Sequence, residues 1–261
     1  MPYEKIKRNK VDRCNICTLT KSLSWDHVPP QGGIVLSSVE IKNIFLLLAG
    51  RQNNQFRISQ NGVKYRTICS DCNSKIGRDF DPTLNEFNNT LTKYIQSNLI
   101  LPQILYIKTK PLRLIKAVLA HLIAAKLNID KVKIDETVRQ IIFDDNALIP
   151  DDINIFYWIY PYDTTIIMRD FSLASVAGDY SSFSFCHLIK YFPIAFIVTD
   201  KNEFRGLTSL TKFKSCGIDE GIELRIDLKQ IKDYDWPEKV DDTNIVFMSA
   251  ETQNGIIAKP K

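Results

Sequence analysis

Trp25-Asp26-His27-Val28-Pro29-Pro30 lies between two cysteine pairs, Cys14-Asn15-Ile16-Cys17 upstream and Cys69-Ser70-Asp71-Cys72-Asn73 downstream. Each CxxC pair alone is a moderate signal for a metal knuckle. Two pairs bracketing an Asp-His-Val-Pro-Pro run make a stronger one. Four thiolates can close one tetrahedral zinc site, which leaves Asp26, His27 and Asn73 free for other chemistry.

Working outward, Ser22 to Val28 reads as a short strand. It must stop at Pro29-Pro30, because proline has no N–H to donate and fixes its φ. Residues 37–49 carry helical signals: Ser37 and Glu40 at capping-box spacing, Ile41, Ile44, Phe45 and Leu48 on one face, and Gly50 as terminator. Phe56 to Ser59 and Val63 to Ile68 flank Asn61-Gly62, the pattern of a hairpin turn. A helix is predicted from about Cys72 to Gly77. Asp81-Pro82 opens another, with Asp81 as N-cap, running to about Ser97.

Ile104 to Lys108 reads as a strand. Pro111 to about Leu127 is a helix apolar nearly all round, hence buried, and Asp135 to Phe143 is a further short helix. From about Ile153 the texture turns to β: Ile153–Tyr160, Thr164–Arg169, Phe183–Ile189, Ala195–Thr199, Glu223–Asp227 and Asn244–Ser249. The chain therefore reads as α+β, with a small module over 1–80 and an α+β domain over 81–261. That domain is helical through 150 and mostly antiparallel β from 151.

Composition is globular, with 44% hydrophobic and 25% charged residues. The charge is uneven. Residues 1–80 hold 13 Lys+Arg against 6 Asp+Glu, a net of +7, whereas the remaining residues hold 21 against 24, a net of −3. A basic first module fits a phosphate-binding site confined to the motif region. Lys5, Lys7, Arg8, Lys10 and Arg13 form either a basic arm or a solvated terminus. Met1 to Arg13 lacks an apolar core, so no secretory signal is expected. No apolar run reaches the length of a bilayer span. These readings imply a cytoplasmic protein without a membrane partner, where paired cysteines hold zinc more often than they form disulfides.

The knuckles, the Asp-His-Val-Pro-Pro run and the Cys-Ser-Asp-Cys-Asn-Ser-Lys helix start resemble an HNH endonuclease of the ββα-metal (His-Me finger) type. The resemblance covers roughly residues 10–80. It implies a β-hairpin and helix holding one catalytic divalent metal, with Cys14, Cys17, Cys69 and Cys72 binding a structural zinc. It implies that His27 is the general base and that Asp26 and Asn73 ligate the metal. An Asp plus Asn pair offers hard oxygen ligands, which suit magnesium or manganese better than zinc. Asp26 and His27 are adjacent on a strand and face opposite ways, so a local bend is needed for both to serve one site.

One position departs from the family. A middle asparagine usually stands five residues before the third cysteine, and here that residue is Lys64. Asn61 is better explained by its turn, so either the backbone carbonyl of the second strand orients His27 or the site is weakened or inactive. Lys64, Lys75 and Arg78 are candidate phosphate contacts. The implied function is metal-dependent cleavage of DNA, with the 81–261 domain binding a protein partner or choosing the target. By analogy with bacterial and phage relatives, the setting is restriction or anti-phage defence. The alternative is a non-catalytic zinc module that binds nucleic acid or protein. Cys186 and Cys216 read as isolated thiols and His121 as a core histidine. His187 lies next to Cys186, but strand neighbours face opposite ways, so the two do not make a metal pair.

Overall fold

The computed structural model describes residues 6–51, 55–129, 133–175, 183–241, 244–248 and 255–261. Lys5 of the basic arm and Ser249 at the end of the last expected strand lie outside these. In chain order the elements are β1 (Val11–Arg13), β2 (Thr20–His27), β3 (Val39–Asn43), α1 (Ile44–Leu48), β4 (Arg57–Ser59), β5 (Lys64–Cys69), α2 (Ser70–Asp79), α3 (Asp81–Ile95), β6 (Ile104–Thr109), α4 (Pro111–Ala124) and α5 (Lys133–Phe143). There follow β7 (Asn154–Ile159), β8 (Thr165–Ser175), β9 (Ser184–Tyr191), β10 (Ile194–Thr199), β11 (Thr208–Ser209), β12 (Ile222–Asp227), β13 (Asn244–Met248) and β14 (Gly255–Pro260). The class is α+β, and every strand pairing between these elements is antiparallel.

A three-stranded sheet runs β1-β2-β5, and α2 follows β5 directly. A nine-stranded sheet runs β11-β7-β10-β9-β8-β14-β3-β4, with β13 also on β8. Strand β6 pairs with β12. The large sheet is buried on both faces, and side chains alternate between two cores along each strand. Ile155, Tyr157 and Ile159 of β7, with Ile194, Phe196 and Val198 of β10, join the core that includes α3, α4 and α5. Phe156, Trp158, Ala195 and Ile197 point to the other side, where Phe45 of α1, Phe204 and Leu207 cover them. These runs therefore show no polar alternation in the sequence.

Two expectations fail in the segment between the cysteine pairs. The helix expected over 37–49 is instead strand β3 followed by the short α1, which Asn43 caps by accepting from the Leu46 N–H. Val39, Ile41 and Asn43 are buried, with Glu40 and Lys42 between them, because β14 supplies a partner more than 200 residues away. The hairpin expected around Asn61-Gly62 also does not form. Both residues take positive φ, 60° and 79°, so the turn is there. Its arms, however, go to different sheets: β4 pairs with β3 and β5 pairs with β2. Asp81 is also displaced from its expected capping role. It is the first residue of α3, Phe80 precedes it, and its carboxylate serves His121.

The large sheet thus takes β3 and β4 from within residues 1–80 and its other strands from beyond residue 150. A second tie crosses residue 80 at the end of α4. A helix leaves its last carbonyls without partners. Here Asn15 donates to Ile123 and Lys126 carbonyls, and the Thr67 hydroxyl donates to that of Ala124. The Arg169 guanidinium donates to the Leu122 carbonyl. No helix of the described residues is long and apolar enough to cross a membrane.

Candidate metal centre and adjoining His27 site

Cys14 and Cys17 precede the hairpin strand β2, while Cys69 ends β5 and Cys72 lies in the first turn of α2. Pairing of Leu23 with Cys69 closes the sheet over this end, so four thiols distant in sequence meet. Their sulfurs all lie within 4.8 Å of one another, close enough to hold one metal ion. The Cys17 and Cys69 sulfurs are 3.8 Å apart. Tetrahedral zinc with Zn–S bonds of about 2.3 Å sets its sulfurs roughly 3.8 Å apart, so the spacing fits. The Ile16 and Cys69 backbone N–H groups point at Cys14 Sγ, at 3.4 and 3.2 Å. Hydrogen bonding from Cys72 lowers the Cys14 thiol to about 4 against the opposing effect of burial, and the same contact raises Cys72.

Asn73 follows Cys72 on α2 and reaches back to β2. Its Nδ2 donates to the Trp25 carbonyl at 2.9 Å and to Ser24 Oγ at 3.1 Å. Between Ser24 and Asp26 the register slips, β5 carrying one residue more than β2. This irregularity supplies a bend, and beyond it Asp26 and His27 still face opposite ways. His27 is half-buried on the outer face opposite Lys64. Its ring hydrogen-bonds to the Asn61 backbone, while Nε2 is buried without a partner, so Nδ1 makes that bond. With Nδ1 donating to a carbonyl, the neutral ring keeps its lone pair on Nε2. Burial, and then the charge of Lys64, lower the His27 pKa and favour that neutral form.

Asp26 turns inward. It is 5% exposed, and Oδ2 lies 3.4 Å from Nδ1 of His121 on α4. The other nitrogen of His121 is 2.9 Å from Asp81 Oδ1. Burial works against a charged ring, but Asp81 and Asp26 outweigh it and hold the His121 pKa at about 10. The imidazolium is thus clasped between two carboxylates.

No protein-family model, no curated protein and no solved structure matches this chain.

Of the candidate phosphate contacts, Lys75 and Arg78 both pair with Asp79, at 2.9 and 2.7 Å. Lys64 pairs with no acid among the described residues and lies 5.8 Å from the Trp25 ring. Cys186 is buried in the second core, and Cys216 is half-buried. His187 belongs to a buried ionic cluster with Lys126, Asp135, Arg169 and Asp170. Its Nδ1 accepts from Arg169 Nε and the Asp170 N–H at 3.0 and 3.1 Å. His121 and the Asn61 carbonyl are the two contacts at this site that the sequence did not disclose. A lone polar ring in an apolar helix hinted at His121. Nothing local marked Asn61 beyond its turn.

Proposed function

We propose that this chain is a metal-dependent endonuclease of the HNH type, cleaving DNA phosphodiester bonds, with a structural zinc in the four-cysteine site. The observation that carries the reading is the state of His27. Its Nδ1 is tied to the Asn61 carbonyl, its Nε2 is buried with no hydrogen-bond partner, and it stands on a strand whose neighbour residues are gripped by Asn73 from the following helix. The Asn61 carbonyl takes over the orienting role that the family assigns near the middle asparagine, so Lys64 at that position is tolerable.

In this reading His27 Nε2 accepts the proton of the attacking water, and Lys64 holds a phosphate beside it. Asp26 and Asn73, by its amide oxygen, would hold the magnesium or manganese ion. Asp26 Oδ2 already faces the His121 imidazolium at 3.4 Å, so holding the ion would mean sharing that carboxylate with the ring. When bound, such an ion stabilises the charge developing on the leaving oxygen. His121 keeps Asp26 in place. The elements beyond residue 80 choose target or partner, and restriction or defence is the setting.

A second reading has a specific observation in its favour. Asp26 is inside the protein and already faces a cation, His121. A non-catalytic zinc module that only binds nucleic acid or protein would keep that pairing for stability. Nicking of supercoiled plasmid with magnesium or manganese separates the two. The expected outcome is metal-dependent nicking, with His27→Ala slower by on the order of 10²–10⁴-fold and zinc content unchanged. Equal rates for wild type and His27→Ala would dismiss the catalytic reading.

A further inference from the structure

The outer face of β2 and β5 carries an aromatic ring among cations, and of these groups the reaction proposed above uses Lys64 alone. Trp25 is 38% exposed, directly before Asp26. Arg66 lies 5.4 Å and Lys64 5.8 Å from its ring centre. The N-terminal segment runs along the far side of β5, where Lys7 bridges Arg66 and the Arg66 guanidinium donates to the Arg8 carbonyl at 2.7 Å. Paired sheet positions carry their side chains to one face, so Lys7 joins Arg66, Lys64 and Trp25 there. His27, two residues beyond Trp25 and paired with Lys64, continues the same face. Neither Lys64 nor Arg66 meets a carboxylate among the described residues.

We infer that this face binds single-stranded nucleic acid, with an unpaired base stacked on Trp25 and the flanking phosphates on Lys64, Arg66 and Lys7. The inference rests on the nuclease reading and names its substrate class. Charge complementarity alone fits any phosphate backbone. The indole separates the cases: a duplex hides the faces of its bases, whereas a single strand offers every base face to an aromatic ring and stacks without sequence preference. The cations that now cover the ring are those a phosphate would draw off when a base arrives.

The test is equilibrium binding of the zinc-loaded full chain to a labelled oligo-dT strand and to a duplex of equal length, with chelator added to remove magnesium and manganese at a strength that spares bound zinc. Zinc content and circular dichroism establish that each variant is folded. Trp25→Ala is expected to weaken single-strand binding on the order of tenfold and duplex binding less than about twofold. Trp25→Phe keeps a ring and should recover most of the loss; Trp25→Leu keeps apolar bulk without a π face and should not. Recovery by leucine, equal losses on both nucleic acids, or no loss on either would overturn the inference while leaving the nuclease reading standing. Wild type that binds neither nucleic acid would overturn both.

Discussion

His121 is where the balance of forces is easiest to read at the scale of one residue. A buried histidine ordinarily stays neutral, because burial disfavours its charge. Here Asp81 at 2.9 Å and Asp26 at 3.4 Å reverse that outcome. Removing the ring strands two carboxylates, one of them 5% and the other 16% exposed. His121→Ala is therefore expected to lower the unfolding free energy by about 3–5 kcal/mol, the usual cost of breaking a buried pair from one side. Asp81→Asn should cost less, since Asp26 still faces the ring. Urea unfolding of the three proteins checks the order. A loss under about 1 kcal/mol for His121→Ala would mean that the ring is not held charged.

Among elements, the packing of α1 on β14 is the tightest constraint that sequence periodicity misses. Gly255 opens β14, and a Cβ placed there would lie 2.4 Å from Phe45 Cε2 and 2.9 Å from Ile44 Cγ2. Phe45 is only 2% exposed, so its ring has little room to retreat. Overpacking of this kind typically costs about 1–3 kcal/mol. Gly255→Ala should lower the thermal midpoint accordingly. Because β14 bridges β3 and β8, amide exchange in both neighbours should quicken in the variant. Slower exchange in either would contradict the proposed clash. The same logic explains why β3 is a strand: its partner is β14, and local capping signals cannot compete with a completed sheet edge.

Over the whole molecule, the buried cluster of Lys126, Asp135, Arg169, Asp170 and His187 ties α5 and the α4 end to the irregularity in β8. His187 is fully enclosed, and burial, then the charge of Arg169, push its pKa down to about 3. In the unfolded chain it titrates near 6.5. As pH falls the unfolded state therefore takes up this proton first, and stability is lost from about pH 6.5 down to about 3. The slope from this group is at most about 1.4 kcal/mol per pH unit. Asp135 works in the same direction lower down: Arg169 and Lys126 overcome its burial and hold it at about 2, so its contribution is present above its ordinary 3.8 and is lost below that. His187→Asn keeps an acceptor without the titration. Its stability should fall less than that of wild type between pH 7 and pH 5 in urea melts, and parallel pH profiles would assign the titration elsewhere.

By itself, the sequence determined the class, the four-cysteine cluster and most of the later strands, because these follow from spacing and from apolar content that no context alters. Two CxxC pairs have few ways to be used, and a strand buried on both faces declares itself by a continuous run such as Ile194 to Thr199. The tertiary structure alone decided which strands pair. Asn61-Gly62 specifies a turn, yet a turn does not fix where its arms go, and β4 and β5 leave it for different sheets. It also decided where Asp26 points. Alternation along β2 gives the side of the sheet, but what waits there, a histidine 95 residues on in a helix that reads as pure core, depends on how α4 is laid against the strand. Contacts of that separation are set by the packing of whole elements, and no window along the chain contains them.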